Sequence, residues 1–305
     1  MSASFEPPDI LVLGGGGILG EAWMTAVLAG IEQASGWEAR TASGFLGTSA
    51  GSIVAASLAA GKPTRTRGGD APELPPAAHA ATARRVPLLG GALNAGRAAG
   101  AALASPFATL GLRTAAPGGA LARRAVLARV PVGARSLGGL GRGVEATGVE
   151  WDGRLLIAAV DLDSGKRVMF GSPGAPTSLV GDAVEASCAI PGYFRPVAIG
   201  GRHYVDGGAW SPTNMDAATV ERGTRVLCLN PTGSTGRSVS GAVGVVSRAA
   251  AGVEALALRR RGAQVAVVSP DQRTVAAIGG NLMDPRPRAE VTAAGLEQGH
   301  RLARP

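Results

Sequence analysis

The stretch GFLGTSAGSIVAASLAAG, residues 44–61, changes its pattern abruptly at a single serine. Residues 44–47 are typical of a short apolar strand, and Ser52–Ala60 are typical of an Ala-rich helix. Between them, Gly47-Thr48-Ser49-Ala50-Gly51 matches G-x-S-x-G, a motif in which a sharp strand-to-helix turn exposes the serine hydroxyl. A glycine-flanked helix cap would give the same letters, but the position between a strand and a helix favours a nucleophile. The motif therefore predicts an α/β unit with Ser49 as the candidate nucleophile.

A second glycine-rich loop precedes this turn. Ile10–Leu13 is a short apolar run typical of a buried parallel strand, and it stops at Gly14–Gly17. Apolar residues then recur at helical spacing from Glu21 to about Ala34. Strand, loop, helix, strand, turn and helix in this order predict a three-layer α/β/α sandwich with a mostly parallel central sheet.

Residues 15–20 of the glycine loop also spell G-x-G-x-x-G, which in dinucleotide-binding domains holds a pyrophosphate. That fingerprint needs an acidic residue at the end of the next strand, whereas this strand ends in Gly47-Thr48-Ser49. A nicotinamide- or flavin-dependent oxidoreductase is therefore disfavoured. A loop without side chains can instead offer its N–H groups to an oxyanion, a role worth about 3–4 kcal/mol per donor.

Regular patterns return at Arg154 and continue to the end of the sequence. They predict two hairpins, four further helices and two further strands. The predicted elements are a strand at 155–160 paired with 167–170, a helix at 178–189 with Ser178 as N-cap, a hairpin of 196–199 with 203–205, a helix at 214–221, a strand at 225–229, a helix at 243–259, a strand at 265–269 and a helix after Pro287.

The positive charge of the chain is concentrated in one segment. The 305 residues carry a net charge of +8, but residues 62–142 alone carry +10, from Lys62 and eleven arginines against Asp70 and Glu73. We expect a single domain over residues 1–305, with residues 62–147 as a basic Gly/Ala/Arg-rich insertion that is lid-like or partly disordered. Such a segment could cover the site or contact anionic lipid, each arginine adding about 1 kcal/mol near such a surface. Nucleic acid is not expected as a partner, because Phe107 is the one aromatic residue between 46 and 150.

A nucleophilic serine needs a base, and the sequence offers an aspartate and three histidines. Asp206-Gly207-Gly208 follows a predicted strand, where two glycines allow close approach, although a solvated Asp-Gly turn is common. His203 should point to the opposite face from Asp206, and His79 lies in the basic segment. His300 would complete a Ser–acid–His order, but that arrangement normally has several strands before the serine. Asp206 is the stronger candidate, and it needs desolvation to act as a base because a solvated Asp has a pKa near 3.9.

Together these motifs resemble those of the patatin-like phospholipases over roughly residues 9–230, apart from the basic segment. The resemblance rests on residues 15–20, 47–51 and 206–208 and on AIPGYFRPV at 189–197. It implies a Ser49–Asp206 dyad without histidine and an oxyanion hole formed by the amides of Gly15, Gly16 and Gly17. It also implies that Gly20, Gly47, Gly51, Gly207 and Gly208 are motif glycines and that no metal or other cofactor takes part.

One position departs from the family. Leu19 stands where the family's glycine loop usually carries Arg or Lys, so anion stabilisation falls to the backbone. We expect a serine ester hydrolase acting on phospholipids or related lipids. The alternative is a catalytically weak protein that binds anionic membrane surfaces through the basic segment. No signal peptide is readable at the N-terminus, and Cys188 and Cys228 are too few for a disulfide scaffold, so we expect a cytoplasmic protein with peripheral membrane contact.

Overall fold

The computed structural model describes residues 5–64, 119–233 and 240–304. Within these ranges, one eight-stranded sheet forms the centre of the fold. Its strands are β1 (Ile10–Leu13), β2 (Gly44–Thr48), β3 (Leu155–Asp161), β4 (Arg167–Phe170), β5 (Val197–Ile199), β6 (Arg202–Asp206), β7 (Arg225–Leu229) and β8 (Gln264–Val268).

The sheet has the order β5-β6-β3-β2-β1-β7-β8, and β4 pairs with β3 outside this path. The five strands from β3 to β8 along this order are parallel to one another. The β4, β5 and β6 pairings are antiparallel. This confirms the predicted mostly parallel sheet, with its antiparallel part at one end.

Helices cover both faces of the sheet, as the predicted three-layer sandwich requires. They are α1 (Gly17–Ser35), α2 (Ala50–Ala59), α3 (Gly119–Leu127), α4 (Gly138–Glu145), α5 (Val180–Cys188), α6 (Ser240–Arg260), α7 (Gln272–Ile278) and α8 (Arg288–Ala303). Alternate residues of the strands point to opposite faces. Leu11 and Phe45 therefore join the core under α1, α2, α4 and α5, whereas Val12 and Leu46 join the core under α6.

Helices α1 and α8 pack unusually closely because glycines line their contact. A Cβ atom on Gly30 or Gly299 would overlap a backbone carbonyl oxygen of the other helix. The fully buried Trp23 donates its indole N–H to Gln298 Oε1 at 2.9 Å across the same contact. The C-terminal helix is thereby fixed against the helix that follows the glycine loop.

Three local predictions are wrong. Ser178 does not cap α5, which begins at Val180 after Leu179. Residues 214–221 do not form an α-helix, because Asn214 is left-handed at φ 51° and only the 3-10 turn Met215–Ala217 follows. Helix α1 begins at Gly17 rather than Glu21, so the glycine loop runs directly into its first turn.

The basic segment is described only in its final part, since residues 65–118 lie outside the described ranges. Residues 119–147 form α3 and α4, and these pack on the domain. Leu140 and Val144 of α4 are buried in the main core, and Leu127 of α3 packs with Val160 and Val205. In the described ranges, no helix is long and apolar enough to cross a membrane.

Candidate active site

Ser49 occupies a strained turn between β2 and α2. Its φ of 52° and ψ of −126° lie in a region that non-glycine residues rarely adopt, at a typical cost of about 1–3 kcal/mol. Hydrogen bonds hold the turn on both sides. The Ser49 N–H donates to Ser187 Oγ at 2.8 Å, and the Ser49 carbonyl accepts from the Ser52 hydroxyl at 2.6 Å.

The two glycines that flank the serine leave no room for a side chain. A Cβ on Gly51 would overlap the carbonyl oxygen of Leu13, at the end of the neighbouring strand β1. A Cβ on Gly47 would lie 2.8 Å from the backbone nitrogen of Ser52. The G-x-S-x-G spacing therefore reflects direct backbone-to-backbone packing of the turn against the sheet.

Asp206 reaches Ser49 through the register of β3. Thr48 pairs with Ala158 on one side of β3, and Asp206 pairs with Ala159 on the other. The backbones of β2 and β6 are thus separated by two strand spacings, each of about 4.8 Å. The side chains of Ser49 and Asp206 close this gap. The Ser49 hydroxyl donates to Asp206 Oδ2 at 2.7 Å, and both residues are buried.

The Asp206 carboxyl is shielded from water, which changes its acidity. Burial raises the pKa of Asp206 to about 6, and hydrogen bonds from the Ser49 hydroxyl and the Gly208 N–H offset part of this effect. The Gly208 N–H donates to Asp206 Oδ1 at 2.7 Å. A Cβ on Gly207 would overlap the carbonyl oxygen of Ala158, so this motif glycine is also required by packing. Asp206 is therefore desolvated, as the sequence analysis required of a base, and its catalytic role stays a prediction.

Asn214 ties the Asp206 turn to the serine turn, and the sequence analysis missed it. Its side-chain nitrogen lies 3.1 Å from Thr48 Oγ1, 3.2 Å from the Gly207 carbonyl and 2.7 Å from the Ser211 carbonyl. The one signal in the sequence is the residue type, because asparagine is enriched among non-glycine residues with positive φ, and Asn214 has φ 51°.

Arg123 of α3 supports the same turn from the other side. The fully buried side chain donates from Nε to the Ala209 carbonyl at 3.1 Å and from Nη1 to the Gly165 carbonyl at 2.6 Å. Its guanidinium stacks 3.9 Å from the centroid of the Trp210 ring. Burial lowers the pKa of Arg123 to about 10, so the cation persists at neutral pH.

The glycine loop faces the serine, but its first amide already has an acceptor. The Gly15 N–H donates to the Pro212 carbonyl at 2.8 Å, which removes Gly15 from the predicted oxyanion donors. Among the described residues, the N–H groups of Gly16 and Gly17 have no acceptor. Gly17 has φ 60°, and a Cβ on Gly16 would lie 2.5 Å from Pro231 Cβ, so both positions require glycine. Gly20 also packs on Pro231.

Leu19 belongs to the core. Its side chain is fully buried, and its N–H donates to the Leu282 carbonyl at 3.0 Å. The segment before α8 is thereby attached to the glycine loop.

A small cavity of about 60 Å³ opens beside the serine. Ser49, Cys188 and Glu21 are its polar lining residues, and the others are apolar or glycine: Gly17, Ile18, Ala50, Ile53, Leu137, Leu140, Ile190, Phe194 and Met283. A larger groove of about 290 Å³ lies between α6 and β8, but its lining contains no carboxylate, so it has no partner for a serine nucleophile.

The histidines do not compete with Asp206 in the part of the chain that is described. His203 is exposed on β6, and His300 contacts Gln33 at 2.9 Å. His79 lies outside the described residues. Within the same ranges, no group of three or more His, Cys, Asp or Glu side chains could hold a metal ion.

Comparison with known proteins agrees with the resemblance inferred from the motifs. The family model described as patatin-like phospholipase matches residues 11–219. Among solved structures, VipD from Legionella pneumophila is similar with a TM-score of 0.43 and 14% identity, covering 98% of this chain and 67% of VipD. No curated protein matches the sequence significantly. The family match spans more than half of the sequence, and the chain therefore belongs to the patatin-like phospholipase family.

Proposed function

We propose that this protein hydrolyses carboxylic esters of phospholipids or related lipids through a Ser49–Asp206 dyad. The family consists of lipid acyl hydrolases, and the chain shares its domain. The observation that carries the proposal is the buried 2.7 Å hydrogen bond between the Ser49 hydroxyl and Asp206 Oδ2. It supplies both a nucleophile and an acceptor for its proton.

The first half of the proposed reaction transfers the acyl group to the serine. Ser49 Oγ attacks the ester carbonyl carbon while its proton passes to Asp206 Oδ2. The amides of Gly16 and Gly17 donate to the oxygen that becomes negative. When the tetrahedral intermediate collapses, the bond to the alcohol oxygen breaks, and the alcohol leaves with the proton held by Asp206.

The second half releases the acid. A water molecule attacks the acyl-Ser49 carbonyl and gives a proton to Asp206, and the same two amides stabilise the new oxyanion. Collapse returns this proton to Ser49 Oγ and frees the carboxylic acid. Each step uses groups of this chain and water.

The apolar cavity beside Ser49 supports an acyl substrate, because its aliphatic and aromatic lining would bind a hydrocarbon tail. Its walls include Leu137 and Leu140, which follow α3 along the chain. The loop and helix next to them expose Leu121 and Val132 together with Arg124 and Arg129. We propose that this exposed surface makes the peripheral contact with anionic membranes in a cytoplasmic setting.

Activity is tested with p-nitrophenyl butanoate and with phospholipid vesicles, alongside labelling by a fluorophosphonate. We expect ester turnover and a single labelled peptide containing Ser49, both lost in Ser49→Ala. Intact membrane binding without turnover or labelling would instead favour the catalytically weak membrane binder.

Membrane contact is tested separately by co-sedimentation with phosphatidylglycerol and phosphatidylcholine vesicles. Reversing Arg124 and Arg129 to Glu should weaken binding to the anionic vesicles at least tenfold, since each cation near such a surface contributes about 1 kcal/mol. The matched control reverses Arg222 and Arg260, which are exposed elsewhere. Equal loss in both double variants would show only a net-charge effect and contradict the proposed surface.

A further inference from the structure

One lining residue of the acyl cavity does not suit a hydrocarbon tail. Glu21 lies on the same face of α1 as Gly17 and Ile18, and this face is opposite Ser49 and Ile53 of α2 in the cavity wall. Glu21 follows Gly17 by four residues, which places it about 6 Å further along the helix. Glu21 therefore lines the cavity about one helical turn beyond Gly17.

The hydrogen-bonding capacity of Glu21 is not satisfied. The residue is only 3% exposed, and its Oε2 has no partner among the described residues. Its Oε1 lies 3.6 Å from Arg288 Nη2, a distance longer than a normal hydrogen bond. Arg288 Nη1, from the first turn of α8, is also buried without a partner.

Such an arrangement is costly for stability alone. A buried polar group without a hydrogen bond typically costs about 1–3 kcal/mol, and most buried polar groups in proteins are therefore paired. Burial also raises the pKa of Glu21, with Arg288 opposing the change. The guanidinium of Arg288 can only donate, and a carboxyl that holds a proton donates as well, so an accepting oxygen would satisfy both unpartnered groups.

We propose that Glu21 is a specificity-determining residue that selects acyl groups carrying a keto or hydroxyl oxygen about three to five carbons from the ester carbonyl. The spacing follows from the 6 Å offset along α1, which about four or five C–C bonds of 1.5 Å cover. This inference rests on the proposed ester hydrolysis at Ser49. It adds a polar subsite at the Glu21–Arg288 pair to an otherwise apolar pocket.

The test uses p-nitrophenyl esters in pairs that differ only in this oxygen: 4-oxopentanoate against 4-methylpentanoate, and 5-oxohexanoate against 5-methylhexanoate. The members of each pair share one carbon skeleton and have an oxygen or a methyl group at one position. The ratio of their kcat/KM values, after subtraction of spontaneous hydrolysis, reports the subsite. In the wild type we expect at least one pair to favour the oxo ester.

Two variants assign that preference. Glu21→Leu should lower the oxo-to-methyl ratio of kcat/KM about tenfold, because one hydrogen bond in a buried site is lost. Glu21→Gln retains a donor and should keep the preference. Butanoate turnover and fluorophosphonate labelling of each variant show that the site is folded.

The outcomes separate the two levels of the proposal. Without butanoate turnover or Ser49 labelling in the wild type, the proposed ester hydrolysis fails. Butanoate turnover with the same oxo-to-methyl ratio in wild type and Glu21→Leu would overturn the polar subsite alone and leave a bound water as the partner of Glu21.

Discussion

The two turns that meet at the Ser49–Asp206 hydrogen bond are held by different means. The turn at residues 47–51 is fixed by backbone packed on backbone, with Gly51 against Leu13 and Gly47 against Ser52. The turn at residues 206–214 is fixed mainly by side-chain hydrogen bonds, although Gly207 also packs on the Ala158 carbonyl. Asn214 bonds it to Thr48, and Arg123 bonds it to α3. The positions of Ser49 and Asp206 therefore depend on different kinds of contact.

This difference explains why one turn is easy to see in the sequence and the other is not. Close backbone contacts exclude every side chain, so they impose glycine at set spacings. Side-chain hydrogen bonds to distant segments leave no such local pattern. Substitutions in the first turn should therefore affect folding most, and substitutions in the supports of the second turn should affect activity more.

The largest effect is expected from Gly51→Ala. The added Cβ would overlap the Leu13 carbonyl oxygen, so the backbone of α2 or β1 must move, at a cost we put above about 3 kcal/mol of unfolding free energy. Gly252→Ala is the matched control, because this helical glycine has open space around it and should gain about 0.5–1 kcal/mol. Denaturant unfolding measures both, and equal stability of the two variants would refute the backbone-packing account.

Asn214→Gly should act on the second turn and mainly lower kcat. Glycine accepts the φ of 51° but removes the hydrogen bonds to Thr48 and Gly207. We expect about a tenfold or larger decrease in kcat and a loss of about 1–2 kcal/mol of stability, since each such bond contributes about 1 kcal/mol. Steady-state kinetics measure this effect, and an unchanged kcat would show that Asn214 does not position the Asp206 turn.

The acidity of Asp206 sets the expected pH dependence. Asp206 must be ionised to accept the serine proton, and its pKa is raised to about 6 by burial. The logarithm of kcat/KM should therefore be level above about pH 7 and fall with a slope of one below pH 6. A profile that stays level down to pH 4 would mean that the base is not this buried carboxyl.

The smallest expected effect is a difference in stability between Ser49→Gly and Ser49→Ala. Both lack the nucleophile and should be inactive, but only glycine accepts φ 52° and ψ −126° without strain. Ser49→Gly should therefore be more stable than Ser49→Ala by about 1 kcal/mol. Thermal unfolding of the two variants at pH 8 measures the strain stored in the turn.

Much of the fold was predictable because its signals are local. Short apolar runs ending in glycine correctly indicated β1 and β2, and the hairpin of β3 with β4 was predicted within one residue of its bounds. Helix α1 was predicted to begin four residues late, since glycine is a poor helix former and Gly17–Gly20 resembled loop. The helix predicted at 214–221 is absent because the left-handed Asn214 redirects the chain.

The sequence predicted which residue types form the candidate site, but not the contacts between them. Ser49 and Asp206 were predicted from their motifs, and the structure brings them into contact. Asp206 lies on an antiparallel strand and reaches Ser49 through the register of β3, which sequence patterns do not reveal. Gly15 is removed from the predicted oxyanion donors, because its N–H bonds to the Pro212 carbonyl. The two residues are almost two hundred positions apart in the sequence, so no local pattern indicates this contact. Glu21 gave no signal, since only packing shows that a helical glutamate borders the cavity.

The most direct test of the Ser49–Asp206 dyad is kcat/KM of Asp206→Asn with p-nitrophenyl butanoate at pH 8. The variant should remain folded, because the raised pKa means that ionised Asp206 opposes folding above pH 6, and asparagine removes that charge. We predict an unchanged or higher Tm and a decrease in kcat/KM of at least about a thousandfold, typical of a lost base. Activity within tenfold of the wild type in the folded variant would contradict the dyad.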